Sequence, residues 1–343
     1  MKRSSIFLFV VAAGLAVLPF VPIEVPLLFS GPFDTPGTLQ VLSVALVLAG
    51  LAMSYDMIFG YTGLLSFGHA LPFALGVYGT NLLMLEASIP YVLAAAITLG
   101  GVIVVSLVLG SVALRTSGVA FAMVTLAFAE AFSILVISDP LRFLGGEEGI
   151  SLASEQVPDM FRRVVNTRNI YWLALAFTVF TFVVARVVVS SRAGRVFEAI
   201  RENEPRVEMM GLAPFPYKLA SFTISSGLAA LGGTVYLLAV RGANIGTTSA
   251  DFTLSILVMV VLGGAGKLWG AAIGGFIYGI LNLRLSTVAT SNAIDNLPEW
   301  LSGPLSEPLF VLGVLFVILV MYAPGGLSSL ATKPSFGRAT RRS

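Results

Sequence analysis

The chain has 343 residues, of which 57% are apolar and 11% charged, and its mean hydropathy is +0.93. Soluble domains are roughly 45–50% apolar and about 25% charged, so a water-soluble globular fold is excluded. The 20 basic residues are balanced by 18 acidic ones, which argues against a nucleic-acid partner. Because the chain has no cysteine and a single histidine, disulfides and thiolate sites are excluded and a histidine-based metal site is disfavoured.

Runs of about 20 mostly apolar residues, the length that crosses a bilayer, recur along the chain. The first follows Lys2 and Arg3 as a cleaved signal would, but prolines rather than small residues follow it, so we interpret it as a retained span. The sequence predicts an all-α polytopic membrane protein with about ten transmembrane helices, some broken by glycine-rich segments. The expected spans are residues 6–23, 38–59, 70–86, 90–113, 118–138, 170–190, 218–240, 250–263, 271–290 and 308–323.

The distribution of lysine and arginine predicts the orientation, since cytoplasmic loops carry an excess of both. A cytoplasmic N-terminus assigns 14 basic residues to the cytoplasmic side and five to the outside, with Arg284 inside a span. We therefore expect both termini in the cytoplasm, the loop 139–169 outside and the loop 191–217 inside. Residues 1–333 form one transmembrane domain in this interpretation, and 334–343 form a basic cytoplasmic tail.

Two glycine-rich segments interrupt the apolar runs. The first runs from Gly60 to His69, and the second from Gly263 to Gly270 follows an apolar run too short to cross alone. Glycine-interrupted segments at matching places in two halves point to a solute path in transporters, whereas tight packing of small residues is the alternative for any one glycine.

Ionisable residues inside the spans are few. Glu130 is the strongest functional candidate, as a polar wall of the path, and an interhelix hydrogen bond is its alternative. His69 fits a capping or packing role better than a proton relay. The candidate residues of the solute path or gate are Gly60, Gly63, Ser66, Gly68, His69, Glu130, Gly263 and Gly266.

Signatures of enzyme chemistry do not occur. One histidine cannot supply a zinc-protease motif, and no pairing of a nucleophile with a base is present. The sequence Gly264-Ala265-Gly266-Lys267 superficially resembles a phosphate loop, but Leu268 stands where a hydroxyl should hold magnesium. We predict a protein that is not an enzyme and has no cofactor or metal of its own.

The loop 191–217 is the most polar part of the chain and is amphipathic. Apolar residues at 196, 197, 200, 207 and 210 approximate one helical face, and acidic residues dominate the other. Pro205 suits the first turn of a second short helix and Gly211 its end. Its acidic character disfavours an anionic membrane surface, so a protein-docking element is the better interpretation.

Four ordered motifs carry a family resemblance that extends from about residue 40 to residue 326. They are Gly60–Ala70, Thr125–Glu130, Glu198–Glu204 with Met210-Gly211, and Gly263–Gly270. The chain resembles the LivM-type permeases of branched-chain amino acid ABC transporters. It departs from the family pattern at Leu64, where a glutamine is common, and at Gly145–Gly149.

The resemblance implies the fold of the larger, type II-like ABC importer permeases in a prokaryotic inner membrane. It also implies a LivH-like second permease, two cytoplasmic ATP-binding subunits and an external solute-binding protein as partners. Within the loop 191–217 it assigns contact with the ATPases to Glu198, Ala199, Arg201, Glu202, Glu204, Met210 and Gly211. A permease for urea or another short amide, and an ion-coupled secondary transporter, remain as alternatives.

Overall fold

The computed structural model describes residues 14–20, 31–140, 142–162 and 166–289, together with 310, 311, 313, 314, 317, 321 and 325–328. The span expected at 308–323 falls largely outside these residues, as does most of 6–23. The tail 334–343 lies wholly outside them.

The described part of the chain is almost entirely helical. Its helices are α1 Pro36–Asp56, α2 Ala70–Glu86, α3 Tyr91–Ala113, α4 Gly118–Ser138, α5 Asp159–Arg162, α6 Thr167–Ser190, α7 Arg192–Met209, α8 Pro214–Val240, α9 Ala250–Gly263 and α10 Leu268–Ala289. Two short strands, β1 Ile150–Ser151 and β2 Gly242–Ala243, pair antiparallel with Ile150 opposite Ala243.

Five of the described segments are long and apolar enough to cross a membrane. They are Pro36–Tyr61, Tyr91–Ala113, Gly118–Ser138, Thr167–Ser190 and Pro214–Val240. Each coincides with a predicted span, and the remaining predicted spans in the described core are helices α2, α9 and α10. The all-α membrane fold is thus confirmed.

Helix α1 is the centre of the bundle. It is apolar on every side, and α6, α8, α9 and α10 pack around it, so that nearly all of its residues are buried. Helix α3 lies at the periphery, where Val92 is 68% and Val104 60% exposed. A helix that is apolar all round must be covered by protein or by hydrocarbon, so α3 is a lipid-facing or subunit-facing helix.

Glycines allow the closest approaches between helices. A β-carbon at Gly275 of α10 would lie 2.6 Å from the Leu48 carbonyl of α1, and one at Gly279 would lie 2.7 Å from Ala45. One at Gly76 of α2 would overlap the backbone of α8 at Ala230. Small residues replace large ones where membrane helices touch, because no hydrophobic force joins helices inside lipid.

The loop between α4 and α6 is folded rather than extended. Asp139 has φ of 35° and accepts hydrogen bonds at 2.9 Å from the backbone N–H groups of Phe143, Leu144 and Gly145. Asn81 of α2 joins the loop at Ser151 and Ala153 with bonds of 3.0 and 3.1 Å. These contacts fix the loop at the end of the bundle where α2, α4 and α8 finish.

Candidate functional site

The first glycine-rich segment begins as a continuation of α1. The helix widens into a π-helical turn over Met57–Tyr61 and then leaves the helical path, with Gly63 at φ of 77°. Wide turns of this kind occur frequently at functional sites. The Thr62 hydroxyl, which is bonded to the Met57 carbonyl at 3.1 Å, lies 2.7 Å from the Ser221 hydroxyl of α8 and ties the turn to that helix.

The second segment is a tight glycine turn between α9 and α10. Gly264 and Gly266 have φ of 104° and 79°, values that favour glycine. The backbones at Gly263 and Gly270 approach so closely that a β-carbon at either would overlap the carbonyl group of the other. Residues 325–328 pack on this turn, since a β-carbon at Gly270 would lie 3.1 Å from Ser328.

Asp56 connects the two segments, which are 210 residues apart in sequence. The Gly266 N–H donates to Asp56 Oδ1 at 2.7 Å, and Asp56 is fully buried. Gly60 lies directly beside this bond: a β-carbon there would overlap both Asp56 Oδ1 and the Gly266 nitrogen. This bond holds the two turns together as one unit.

Helix α7 reaches this unit through one side chain. The Arg201 guanidinium donates to the Gly60 carbonyl, and a β-carbon at Gly266 would lie 3.1 Å from Arg201 Nη1. Gly63 faces the same residue, with the Arg201 Cα 3.2 Å from a β-carbon built there. Three candidate path glycines and one candidate docking residue therefore belong to a single contact cluster.

The local sequence explains the shape of α7. The Ser191 hydroxyl caps its start by accepting from the Gly194 N–H at 3.3 Å, and Asn203 interrupts it with φ of −162°. The Asn203 side chain then accepts from the Arg206 N–H at 3.0 Å, so a second short helix starts before Pro205. Gly211, at φ of 82°, ends it. The two helical pieces and their end agree with the prediction.

The buried face of α7 is smaller than the sequence pattern indicates. Phe197, Ile200 and Val207 are buried, whereas Met210, which the sequence pattern groups with the same apolar face, is 72% exposed. The reason is that the helix ends at Met209, which turns the next residue away from the bundle. Met209, at 82% exposure, and Met210 thus form an exposed apolar tip.

The other predicted docking residues divide into two groups. Glu198, Glu202 and Gly211 are exposed and Ala199 is partly exposed. Glu204 is held within the chain by an ion pair with Lys218 of α8, and Arg201 by its bond to Gly60. Contact of any of them with another protein stays a prediction.

A separate polar group surrounds the start of α2. The Tyr55 hydroxyl donates to the Ser66 carbonyl at 2.9 Å, and the Ser54 hydroxyl lies 3.0 Å from His69 Nε2. The N–H of Ala70 donates to the Thr253 hydroxyl of α9 at 3.1 Å. His69 is buried, and a β-carbon at Gly68 would overlap the Thr125 carbonyl of α4. These residues fasten α2 to α1, α4 and α9.

Glu130 is not part of either group. It is partly exposed on α4, between the buried residues Ala129 and Ser133, and it forms no hydrogen bond or ion pair with another described residue. The contact of α4 with the first glycine-rich segment is made at Thr125, whose hydroxyl accepts from the Phe67 N–H at 3.1 Å. A role for Glu130 in the solute path stays a prediction.

Sequence reasoning missed two parts of the cluster. Asp56 was not among the candidate site residues, although an ionisable residue inside a span is by default a functional hypothesis. Residues 325–328 gave no signal, because nothing in a short glycine-containing segment indicates which distant turn it covers.

Comparison with known proteins identifies relatives over most of the chain. The family model for the permease component of the branched-chain amino acid transport system matches residues 37–322. The high-affinity branched-chain amino acid permease protein LivM of Escherichia coli is 26% identical over 322 residues, which cover 87% of this chain and 71% of that protein. The probable LivM protein of Methanocaldococcus jannaschii is 26% identical over 334 residues, covering 84% and 94%. No solved structure matches the chain.

Proposed function

Because the chain belongs to the branched-chain amino acid transport permease family, we propose that it is the membrane-spanning subunit of an ATP-driven importer of branched-chain amino acids. In this proposal a LivH-like second permease completes the path across the membrane. Two cytoplasmic ATP-binding subunits supply energy, and an external binding protein delivers the solute.

The observation that carries the proposal is the contact of α7 with the glycine turns. Arg201 joins α7 to the Gly60 carbonyl, and Asp56 joins that turn to Gly266. A displacement of α7 would therefore move both glycine turns together. Small shifts at one site become larger transitions where a packed interface has two discrete arrangements.

The exposed tip of α7 is the docking surface in this proposal. Met209 and Met210 offer exposed apolar area, Gly211 follows them directly in the sequence, and Glu202 is exposed in the first piece of α7. Methionine-rich surfaces adapt to a partner, since the side chain is unbranched and polarisable. From the charge distribution of the loops we expect this tip in the cytoplasm, where ATP-binding subunits act.

The glycine turns are the moving part of the solute path in this proposal. Gly60, Gly63 and Gly266 expose backbone where side chains would fill space, and Gly263 sets the spacing of α9 and α10. Irregular backbone at membrane depth is tolerated where protein buries it or where it lines a cavity. Ser66, Gly68, His69 and Glu130 are the further candidates along the path.

The test is transport by the assembled complex in proteoliposomes. We expect uptake of leucine, isoleucine or valine only with the binding protein outside and ATP on the α7 side. Urea and short amides are run in parallel, and preferred uptake of these would contradict the substrate assignment. Uphill uptake by the purified chain alone on an ion gradient would overturn the proposal as a whole.

A further inference from the structure

A groove between α6 and α10 joins an apolar cavity to a basic one. The apolar cavity has a volume of about 250 Å³ and is lined by Leu175 and Val179 of α6 and by Ile273 of α10. The second cavity, of about 500 Å³, lies at the α7 end. Phe182 lines both, so the two cavities are adjacent parts of one groove.

The wider cavity carries two cations. Arg186 and Lys267 line it and are partly buried, and neither side chain has an ion-pair partner within the described ranges. Trp269 and Tyr61 line it as well, the residue types that favour the level of lipid headgroups. The exposed Glu198 is its acidic residue, which leaves one net positive charge.

The smaller, apolar cavity is suited only to hydrocarbon. The one hydroxyl in its wall, that of Thr178, donates to the Leu46 carbonyl at 2.7 Å and offers nothing to a ligand. The wall from Leu175 to Phe182 extends about 10 Å along α6 at 1.5 Å per residue. This length is shorter than the thickness of one hydrocarbon leaflet, which is about 15 Å.

We infer that this groove is a binding site for an anionic glycerophospholipid. Arg186 and Lys267 receive the phosphate, and an acyl chain lies along Val179, Phe182 and Ile273. Basic pockets between transmembrane helices bind anionic headgroups, and each basic residue near the surface contributes about fivefold in affinity. The inference goes beyond the proposed function, since it concerns a ligand that is retained rather than transported.

Trp269 makes the site measurable in the purified chain. The chain has three tryptophans, so Trp172→Phe with Trp300→Phe leaves Trp269 as the sole reporter. This variant is placed in nanodiscs of unlabelled phosphatidylcholine. Increasing fractions of brominated phosphatidylglycerol, or of brominated phosphatidylcholine, are then added, and quenching of Trp269 fluorescence is measured. We expect quenching at several-fold lower mole fractions of the brominated phosphatidylglycerol. Equal quenching by the two lipids would overturn the inference.

Variants separate the headgroup site from the acyl groove. Arg186→Gln with Lys267→Gln should abolish the preference, whereas Arg192→Gln with Arg195→Gln on α7 should keep it. Val179→Phe should weaken quenching by both lipids equally, because it fills the apolar cavity.

A preference that survives loss of Arg186 and Lys267, or that disappears with Arg192 and Arg195, would contradict the assignment. Soluble glycerol phosphate is the last arm. Glycerol phosphate should not displace the brominated lipid, because the acyl groove contributes most of the affinity. Displacement by glycerol phosphate at low concentration would mean that the ligand is a free phosphate. None of these measurements involves transport, so their failure leaves the proposed function untouched.

Discussion

Gly60 occupies a position where any side chain meets the bond that joins the two glycine turns. A β-carbon would overlap Asp56 Oδ1 and the Gly266 nitrogen. The Asp56 side chain is buried and the Gly266 nitrogen is a backbone atom, so neither can move aside. We expect Gly60→Ala to lower the free energy of unfolding by about 1–3 kcal/mol, the range for an overpacked core. Thermal unfolding of the purified chain in detergent measures this change.

Gly100 of α3 is the matched control for that substitution, because nothing lies within 4 Å of a β-carbon there. Gly100→Ala should be neutral or slightly stabilising, since alanine restricts the unfolded chain more than glycine does. Equal effects of the two substitutions would mean that Gly60 is not sterically confined.

Asp139 organises the loop after α4 through three backbone bonds to its carboxylate. The backbone N–H of Leu144 in particular holds the pKa of this carboxyl below its usual range, with Phe143 and Gly145 adding to the effect. A depressed pKa in the folded state means that the ionised form stabilises the loop above the usual aspartate range. That contribution is lost as the pH falls through the lowered pKa.

Hydrogen exchange at the amides of Phe143, Leu144 and Gly145 tests this role of Asp139. Asp139→Ala should raise their exchange rates several-fold at neutral pH, and acidification should weaken protection in the unsubstituted chain. Asp159 provides the control carboxylate, because it is exposed in the same loop and its side chain lies 3.8 Å from Arg162 rather than on these amides. Unchanged protection in Asp139→Ala would show that the loop folds without the carboxylate.

At the scale of one element, α7 combines an anchored face with an exposed end. Gly211 has φ of 82° and no atom within 4 Å of a β-carbon, so conformation and charge, rather than space, limit what can replace it. Aspartate and asparagine both tolerate the left-handed region, and they differ mainly in charge. We expect Gly211→Asp to abolish uptake by the assembled complex, with Gly211→Asn retaining most of it.

Membrane insertion and amount of protein should be the same in both Gly211 variants, as measured by solubilisation and size-exclusion chromatography. Loss of uptake in both would assign the defect to the backbone rather than to the docking surface. Normal uptake by Gly211→Asp would count against docking at this position.

The elements were largely predictable from sequence, but their rotations were not. Hydropathy located α1, α3, α4, α6 and α8 because a span must be continuously apolar. The same uniformity hides which side of a helix faces protein, so the sequence could not reveal that α1 is central and α3 peripheral. Amphipathic α7 did have such a pattern, and its buried residues Phe197, Ile200 and Val207 all lie on the predicted apolar face.

The site was likewise predictable only in part: its glycine turns could be located from sequence, but the contacts between them could not. Glycine clusters identified both turns, since glycine marks irregular backbone and close approach. Local sequence holds no information on the bond between Asp56 and Gly266, because it joins positions 210 residues apart. Nor could it show that Arg201 turns toward Gly60, since an arginine on a polar helix face is equally suited to a partner protein.

For the whole molecule, the expected sidedness rests on counts of basic residues, and the fold makes it testable. Helix α6 separates the loop 139–169 from the loop 191–217, so these loops lie on opposite sides of the membrane if α6 crosses it. Ser154 and Glu208 are exposed in the two loops. The absence of cysteine from the chain means that Ser154→Cys and Glu208→Cys each introduce the sole thiol.

A membrane-impermeant maleimide applied to intact cells should label Ser154→Cys, because the positive-inside distribution predicts that this loop is outside. Glu208→Cys should be labelled only after the membrane is permeabilised. The unsubstituted chain gives the background, and labelling of both variants in detergent establishes that both thiols react. The reverse pattern would mean that the protein has the opposite orientation in the membrane. Helix α7 would then lie outside the cytoplasm, and ATP-binding subunits could not dock on it. Labelling of both thiols in intact cells would mean that α6 does not cross the membrane.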